Sequence, residues 1–220
     1  MKSPRRKPVS VVIIEDHRMF REHLAHLIDK TDDIMVAGEA DNIRDGLELI
    51  KHTRPSIALI DITLKGASGL ELIKELRAKG ITTPVLVLSM HEESLYAERA
   101  VRAGANGYIT KHEASADVMA AIRHVLGGGI YFNARFMSQM MSKMMGTADP
   151  SGDPVERLAD RELEVFRLIG RGLTNREIGE QLALGTTTVD TYTTRIKEKL
   201  KLPNSARLRL EASRWVQQHE

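Results

Sequence analysis

Apolar residues follow two regimes along this chain. Up to about residue 128, short continuous apolar runs alternate with stretches of helical spacing, and beyond residue 155 only helical spacing remains. "VSVVII" (9–14) is a β-branched run of the kind expected in a strand covered on both faces. "RMFREHLAHLIDK" then places Met19, Phe20, Leu24, Leu27 and Ile28 on one helical face. The unit repeats. "IMVAGEA" (34–40) leads to a helical pattern through Leu47, Leu49 and Ile50, and "SIALI" (56–60) leads to "GLELIKELRAKG" (69–80), with Gly80 as the expected C-cap. "PVLVLSM" (84–90) precedes "SLYAERAVRAG" (94–104), and "GYIT" (107–110) precedes "ASADVMAAIRHVLGGG" (114–129). Five strands alternating with five helices predict an α/β domain built on a doubly wound, five-stranded parallel sheet. Crossovers in such sheets are right-handed, and sites form beyond the carboxyl ends of the strands.

The segment 127–153 breaks this rhythm. It opens on three glycines and closes in a Gly/Pro/Asp/Ser linker. Between them Phe136, Met137, Met140, Met141, Met144 and Met145 recur at helical spacing. Met packs adaptably, so this helix is expected to bury its stripe against the first domain or to dock on another surface.

From Val155 onward four helices follow. "DRELEVFRLIGRG" (160–172) has Asp160 as its expected N-cap, and "TNREIGEQLAL" (174–184) offers Thr174 with Glu177 three residues on, a capping box. After a short "LGT" turn come "TTVDTYTTRIKEKLKL" (187–202), stopped by Pro203, and "SARLRLEASRWVQQ" (205–218). Two short helices joined by a tight Gly-containing turn, the second one basic, form a helix-turn-helix pattern. The chain therefore divides into an α/β domain (8–128), a linker with a Met-rich helix (129–153) and a small all-α, four-helix domain (154–218).

Composition adds exclusions. With no cysteine, disulfides, thiolate chemistry and zinc–thiolate sites are ruled out. "MKSPRRKP" is basic without the apolar stretch of a signal peptide, and no apolar run is long enough to span a membrane, so a cytoplasmic protein with a short disordered tail is expected. The overall charge is near neutral, but Arg195, Lys197, Lys199, Lys201, Arg207 and Arg209 gather against Glu198 alone. Such a run favours a polyanion, although it also suits a solvated helix face.

Candidate chemistry concentrates at strand ends. The first strand delivers Glu15 and Asp16 to the rim of the sheet, the third Asp61, the fourth Ser89 and the fifth Lys111. Taken singly, each has an ordinary explanation as a cap, a turn residue or a surface amine. Together, three converging carboxylates repel one another unless a hard cation neutralises them, and Mg²⁺ suits an all-oxygen site shared with phosphate. A carboxylate can also act as a nucleophile and form an aspartyl phosphate. Lys111 would then pair with a phosphoryl oxygen, and the Ser89 hydroxyl would donate to another.

"IIEDH", "LIDITLKGASGLEL", "VLSM" and "GYITK" carry a resemblance: residues 9–128 resemble the CheY-like, flavodoxin-like receiver domain of two-component response regulators. The resemblance implies Asp61 as phosphoacceptor, Mg²⁺ held by Glu15, Asp16, Asp61 and the backbone carbonyl of Thr63, Ser89 and Tyr108 as the switch pair, and Lys111 as the phosphate-binding cation. Lys65 stands where many receivers carry Pro.

"LADRELEVFRLIGRGLTNREIGEQLALGTTTVDTYTTRIKEKLKL" extends the resemblance to the LuxR-type helix-turn-helix output of the NarL/FixJ class. It implies that Asp190, Thr191, Thr194 and Lys197 face the major groove, with Thr187, Thr188 and Arg195 on backbone phosphates. Asp190 stands where many members carry Lys, and Tyr192 where many carry His. Phosphate repels a carboxylate, yet Asp190 could accept from a cytosine amino group or pair with a neighbouring Arg. The implied function is a phosphorylation-dependent transcription regulator and not an enzyme. Its implied partners are a histidine kinase and inverted-repeat double-stranded DNA, bound as a homodimer once phosphorylated. Two other readings remain: a regulator with a vestigial receiver, and an aspartyl-phosphate hydrolase or phosphotransferase. The second is disfavoured because Thr63 occupies the place, two residues past the nucleophile, where such enzymes keep an acid.

Overall fold

Each β-branched run becomes a strand in the computed structural model, which describes residues 8–90, 93–112, 115–145 and 154–219. The basic tail, apart from Pro8, and the Gly/Pro linker at 146–153 lie outside the described residues. In chain order the first part runs β1 (Val9–Ile14), α1 (Arg18–Asp29), β2 (Ile34–Ala40), α2 (Ile43–Thr53), β3 (Ile57–Asp61), β4 (Thr63–Leu64), β5 (Ala67–Ser68) and α3 (Gly69–Ala78). It continues with β6 (Val85–Ser89), α4 (Glu93–Ala103), β7 (Gly107–Thr110), α5 (Ser115–Leu126) and α6 (Ala134–Met144). The chain divides into two compact units after Ser138.

The main sheet has the order β2-β1-β3-β6-β7 with every pair parallel. On one face Val11, Ile13, Leu59, Leu86, Leu88 and Ile109 pack with Leu24 and Ile28 of α1 and Ile122 and Val125 of α5. On the other, Val12, Ile14, Ala58, Ile60 and Val87 are also fully buried, and Gly46 of α2 lies directly against Ile14. Burial of each such side chain contributes about 1.5–3 kcal/mol, which is why the strand runs are apolar throughout. The order of the strands reverses between β1 and β3, and ligand sites of such sheets form beyond the carboxyl ends at this point.

Two features were not readable from periodicity. A two-residue ribbon, β4 with β5, turns at Lys65 and Gly66, where Gly66 takes φ 73°. Tyr131 adds a single parallel bridge to the outer edge of β7: its N–H donates to Asn106 O at 3.0 Å and its carbonyl accepts from Tyr108 N–H at 2.8 Å. In α6, Phe136 is buried, but Met137 and Met141 are exposed, as is Met145 just after it. Of the two expectations for this stripe, burial does not hold at these three positions.

The second unit carries a short 3₁₀ turn (Pro154–Arg157) and the helices α7 (Asp160–Gly170), α8 (Asn175–Leu182), α9 (Thr186–Lys199) and α10 (Ser205–His219). Its core joins Phe166 and Trp215, edge to face at 5.9 Å, with Ile178, Leu182, Val189, Ile196 and Leu208. A Cβ on Gly170 would come 2.4 Å from the carbonyl of Ala212, so glycine lets α7 and α10 touch there. Asp160 is the first helical residue and not the cap. Ala159 is the N-cap, and the Glu162 carboxylate accepts its N–H at 2.7 Å. Thr174 and Glu177 do form the expected capping box. No helix among the described residues is long and apolar enough to cross a membrane.

Candidate functional site

β3 ends on Asp61, paired in register with Leu88, so its carboxylate leaves the sheet where β1 and β6 also end. Gly69 makes this turn possible. Its N–H donates to Ile62 O at 2.7 Å, and a Cβ there would sit 1.9 Å from the Asp61 carbonyl. One residue past β1, Glu15 is pinned by its N–H to Ala40 O at 3.0 Å and is fully buried. Past β7, the N–H of Lys111 donates to Ser89 O at 2.7 Å, which ties the cation's backbone to the end of β6.

These anchors bring the predicted rim residues together. Lys111 Nζ lies 2.6 Å from Glu15 Oε2 and 2.9 Å from Asp61 Oδ2, with 3% of its side chain exposed. The ammonium also stands 4.8 Å from the centroid of the Phe20 ring, a cation–π contact. Ser89 and Tyr108 are both buried, on neighbouring strands, with Ser89 opposite Thr110 in the register. Ligand atoms of Glu15, Asp16, His17 and Asp61 all fall within 4.8 Å of one another.

The electrostatics follow from this crowding. Burial, then the charge of Glu15, push the Asp61 carboxyl up to about 7, while Lys111 and the N–H of Thr63 oppose the shift. Asp16 Oδ1 is buried and accepts no hydrogen bond, although His17 Nδ1 stands 3.0 Å away. Three carboxylates face a single ammonium in this cluster. The carboxylates offer hard oxygen donors, which a hydrated divalent cation such as Mg²⁺ fits.

The sequence places Phe20 only on an apolar helical face and gives neither Gly69 nor His17 a role at the rim. His17 was visible only as the next letter after the acidic pair, and the proximity of Phe20 and Gly69 to the site is a product of the fold.

On the second unit, Gly179 lets the turn carbonyl of Leu184 approach, since a Cβ would come within 2.7 Å of it, and Ala183 takes φ 53°. The turn leads into α9, whose Val189 and Ile196 face the core. Thr187, Thr188, Asp190, Thr191, Thr194 and Arg195 are exposed and Lys197 is half-buried, so the predicted contact residues share the outer side of this helix. Among the described residues Asp190 pairs with an amide and not with an Arg. Its Oδ1 accepts from Asn175 Nδ2 at 2.6 Å, across from the first turn of α8. Lys199 is drawn away from that side to Glu162 at 2.6 Å.

Residues 11–123 match the response regulator receiver domain family, and residues 156–212 match the bacterial regulatory proteins of the luxR family. Among curated proteins, the chain is 35% identical over 190 residues to the virulence-factor transcription regulator BvgA of Bordetella pertussis, covering 86% of this chain and 90% of that one. It is 30% identical over 214 residues to the nitrate/nitrite response regulator NarL of Escherichia coli, covering 96% of each. Among solved structures, the response regulator ChrA of a heme-sensing two-component system is similar at 26% identity with a TM-score of 0.51, covering 94% of this chain and 97% of that one. RcsB of Salmonella enterica serovar Typhimurium, bound to promoter rprA, shares the fold at 20% identity with a TM-score of 0.60, over 94% of this chain and 99% of that one. The chain belongs to the two-component response regulators that join a receiver domain to a luxR-family DNA-binding domain.

Proposed function

We propose that this response regulator is a phosphorylation-dependent, DNA-binding transcription regulator that accepts a phosphoryl group on Asp61 from a histidine kinase. The observation that carries the reading is the meeting of Asp61, Glu15, Asp16 and Lys111 in one buried cluster at the carboxyl ends of parallel strands. An oxygen of Asp61 attacks the phosphorus of the kinase phosphohistidine. The P–N bond breaks as the P–O bond forms, and the imidazole leaves and takes up a proton from solvent. Glu15, Asp16, Asp61 and the carbonyl of Thr63 would hold Mg²⁺. Bound there, the ion neutralises charge on the transferring phosphoryl group.

Lys111 pairs with a phosphoryl oxygen in place of part of its present contact with Asp61, and the Ser89 hydroxyl donates to another. Because Lys111 N–H is bonded to Ser89 O, the ends of β6 and β7 respond together, and Tyr108 lies buried within β7. Reshaping this face biases an existing equilibrium. A full reversal from about 1:99 to 99:1 requires roughly 5.5 kcal/mol of differential stabilisation.

The output is a homodimer on an inverted-repeat promoter site in the cytoplasm. Thr191, Thr194, Asp190 and Lys197 face the major groove, and Thr187, Thr188 and Arg195 rest on phosphates. The role is regulatory, with hydrolysis of the aspartyl phosphate serving only to reset the switch. Incubation with a small phosphodonor and Mg²⁺ tests the acceptor. Intact mass should rise by one phosphoryl group in the wild type and not in Asp61→Ala, and an equal gain in both, or none in either, contradicts the assignment.

A further inference from the structure

The acidic cluster contains one group that the proposed Mg²⁺ chemistry does not use. His17 caps the entry to α1 without any side-chain capping bond. Its imidazole turns back to the acids instead: Nδ1 lies 3.0 Å from Asp16 Oδ1 and 3.2 Å from Glu15 Oε1, and its backbone N–H donates to Glu15 Oε1 at 3.0 Å. Nδ1 shares the 4.8 Å cluster with oxygens of Glu15, Asp16 and Asp61. The His17 side chain is 67% exposed, so it adds little to the core.

We propose that His17 is a specificity-determining residue of the cation site, supplying an imidazole ligand that admits nitrogen-preferring divalent ions alongside Mg²⁺. This inference rests on the cation-binding reading given above. The physical reason lies in ligand preference: carboxylate, carbonyl and water suit Mg²⁺, whereas imidazole adds affinity for ions such as Ni²⁺ and Co²⁺ and little for Mg²⁺. A site of oxygen atoms alone follows the general order of metal affinities. A site with one imidazole widens the gap between Ni²⁺ and Mg²⁺ beyond what its carboxylates give. In the ion-free protein the same nitrogen stands against Asp16 Oδ1, a buried oxygen that accepts no hydrogen bond. A cation bound between the two would engage both atoms at once.

The test is calorimetric titration of the full chain with Mg²⁺ and, separately, Ni²⁺, for the wild type, His17→Ala and Glu15→Gln. His17→Ala should weaken Ni²⁺ about tenfold or more while Mg²⁺ changes less than about twofold. Glu15→Gln should weaken both ions and so identifies the site against the other histidines of the chain. Cobalt binding provides a second measurement, since Co²⁺ should broaden the His17 ring resonances in the wild type before those of any other histidine. If Glu15→Gln weakens both ions but His17→Ala leaves the Ni²⁺ to Mg²⁺ ratio unchanged, the inference is overturned and the cation site stands. If Mg²⁺ does not bind the wild type, or Glu15→Gln leaves it unaffected, the underlying cation reading fails and this inference fails with it.

Discussion

The ammonium of Lys111 stands 2.9 Å from the Asp61 carboxylate, inside a space that also holds the carboxylates of Glu15 and Asp16. Burial first, and then the neighbouring charge of Glu15, raise the Asp61 carboxyl to about 7 against the opposing pull of Lys111. An ionised Asp61 is therefore held at a cost in this cluster.

Asp61→Asn should therefore stabilise the ion-free protein. The folded-state value, about 7, lies above the ordinary carboxyl value of 3.8, so the folded chain binds the extra proton between these limits. The cost of ionised Asp61 is absent below the ordinary value, grows as pH rises through the interval and is complete above pH 7. The gain from Asp61→Asn should follow the same course, reaching on the order of 1–3 kcal/mol at pH 8 and vanishing near pH 4. Urea unfolding at pH 8, 6 and 4 reads it directly. Saturating Mg²⁺ at pH 8 should shrink the gain, because the ion takes over the role of the missing proton.

Gly69→Ala should be among the most damaging single changes in the first unit. Its Cβ would fall 1.9 Å from the Asp61 carbonyl oxygen, a backbone atom and not a flexible tip that could yield. Overpacking of this kind costs about 1–3 kcal/mol or more. Thermal unfolding should show the loss, together with reduced phosphoryl uptake even below the melting point.

The bond from Asn175 to Asp190 should govern base preference more than affinity. Held at one oxygen, Asp190 keeps the other for a base amino group. Asn175→Ala and Asp190→Ala should shift the selected DNA sites in the same direction, and the double variant should add little to either. Arg195→Ala should instead weaken all sequences alike and lower the slope of log K against log salt by about one. Binding-site selection combined with a salt titration separates the two classes of contact.

The strands and the convergence of charged residues at their ends were legible in the sequence for one shared reason. A strand buried on both faces must be apolar throughout, so a carboxylate or lysine at its end stands out as a residue the rim requires. The limits of that legibility are equally physical. Asp61 lies inside the strand and not after it, because its pairing with Leu88 continues the ladder one residue further than apolarity does. The ribbon at Thr63–Ser68 is too short to have a period, and the bridge at Tyr131 is a single residue. Asp160 reads as a cap by residue type, but Glu162 reaches the N–H of Ala159 and moves the helix start ahead of it. The exposure of Met137, Met141 and Met145 was not readable either, since an apolar stripe looks the same whether it is covered or bare.

The most direct measurement of the central claim is DNA affinity and association state in the same samples, with and without a small phosphodonor and Mg²⁺, for the wild type and Asp61→Ala. Phosphodonor should convert wild-type monomers to dimers and tighten promoter binding at least tenfold, while Asp61→Ala stays unchanged. Equal binding by the two proteins, with dimers present regardless of phosphodonor, would contradict control through Asp61.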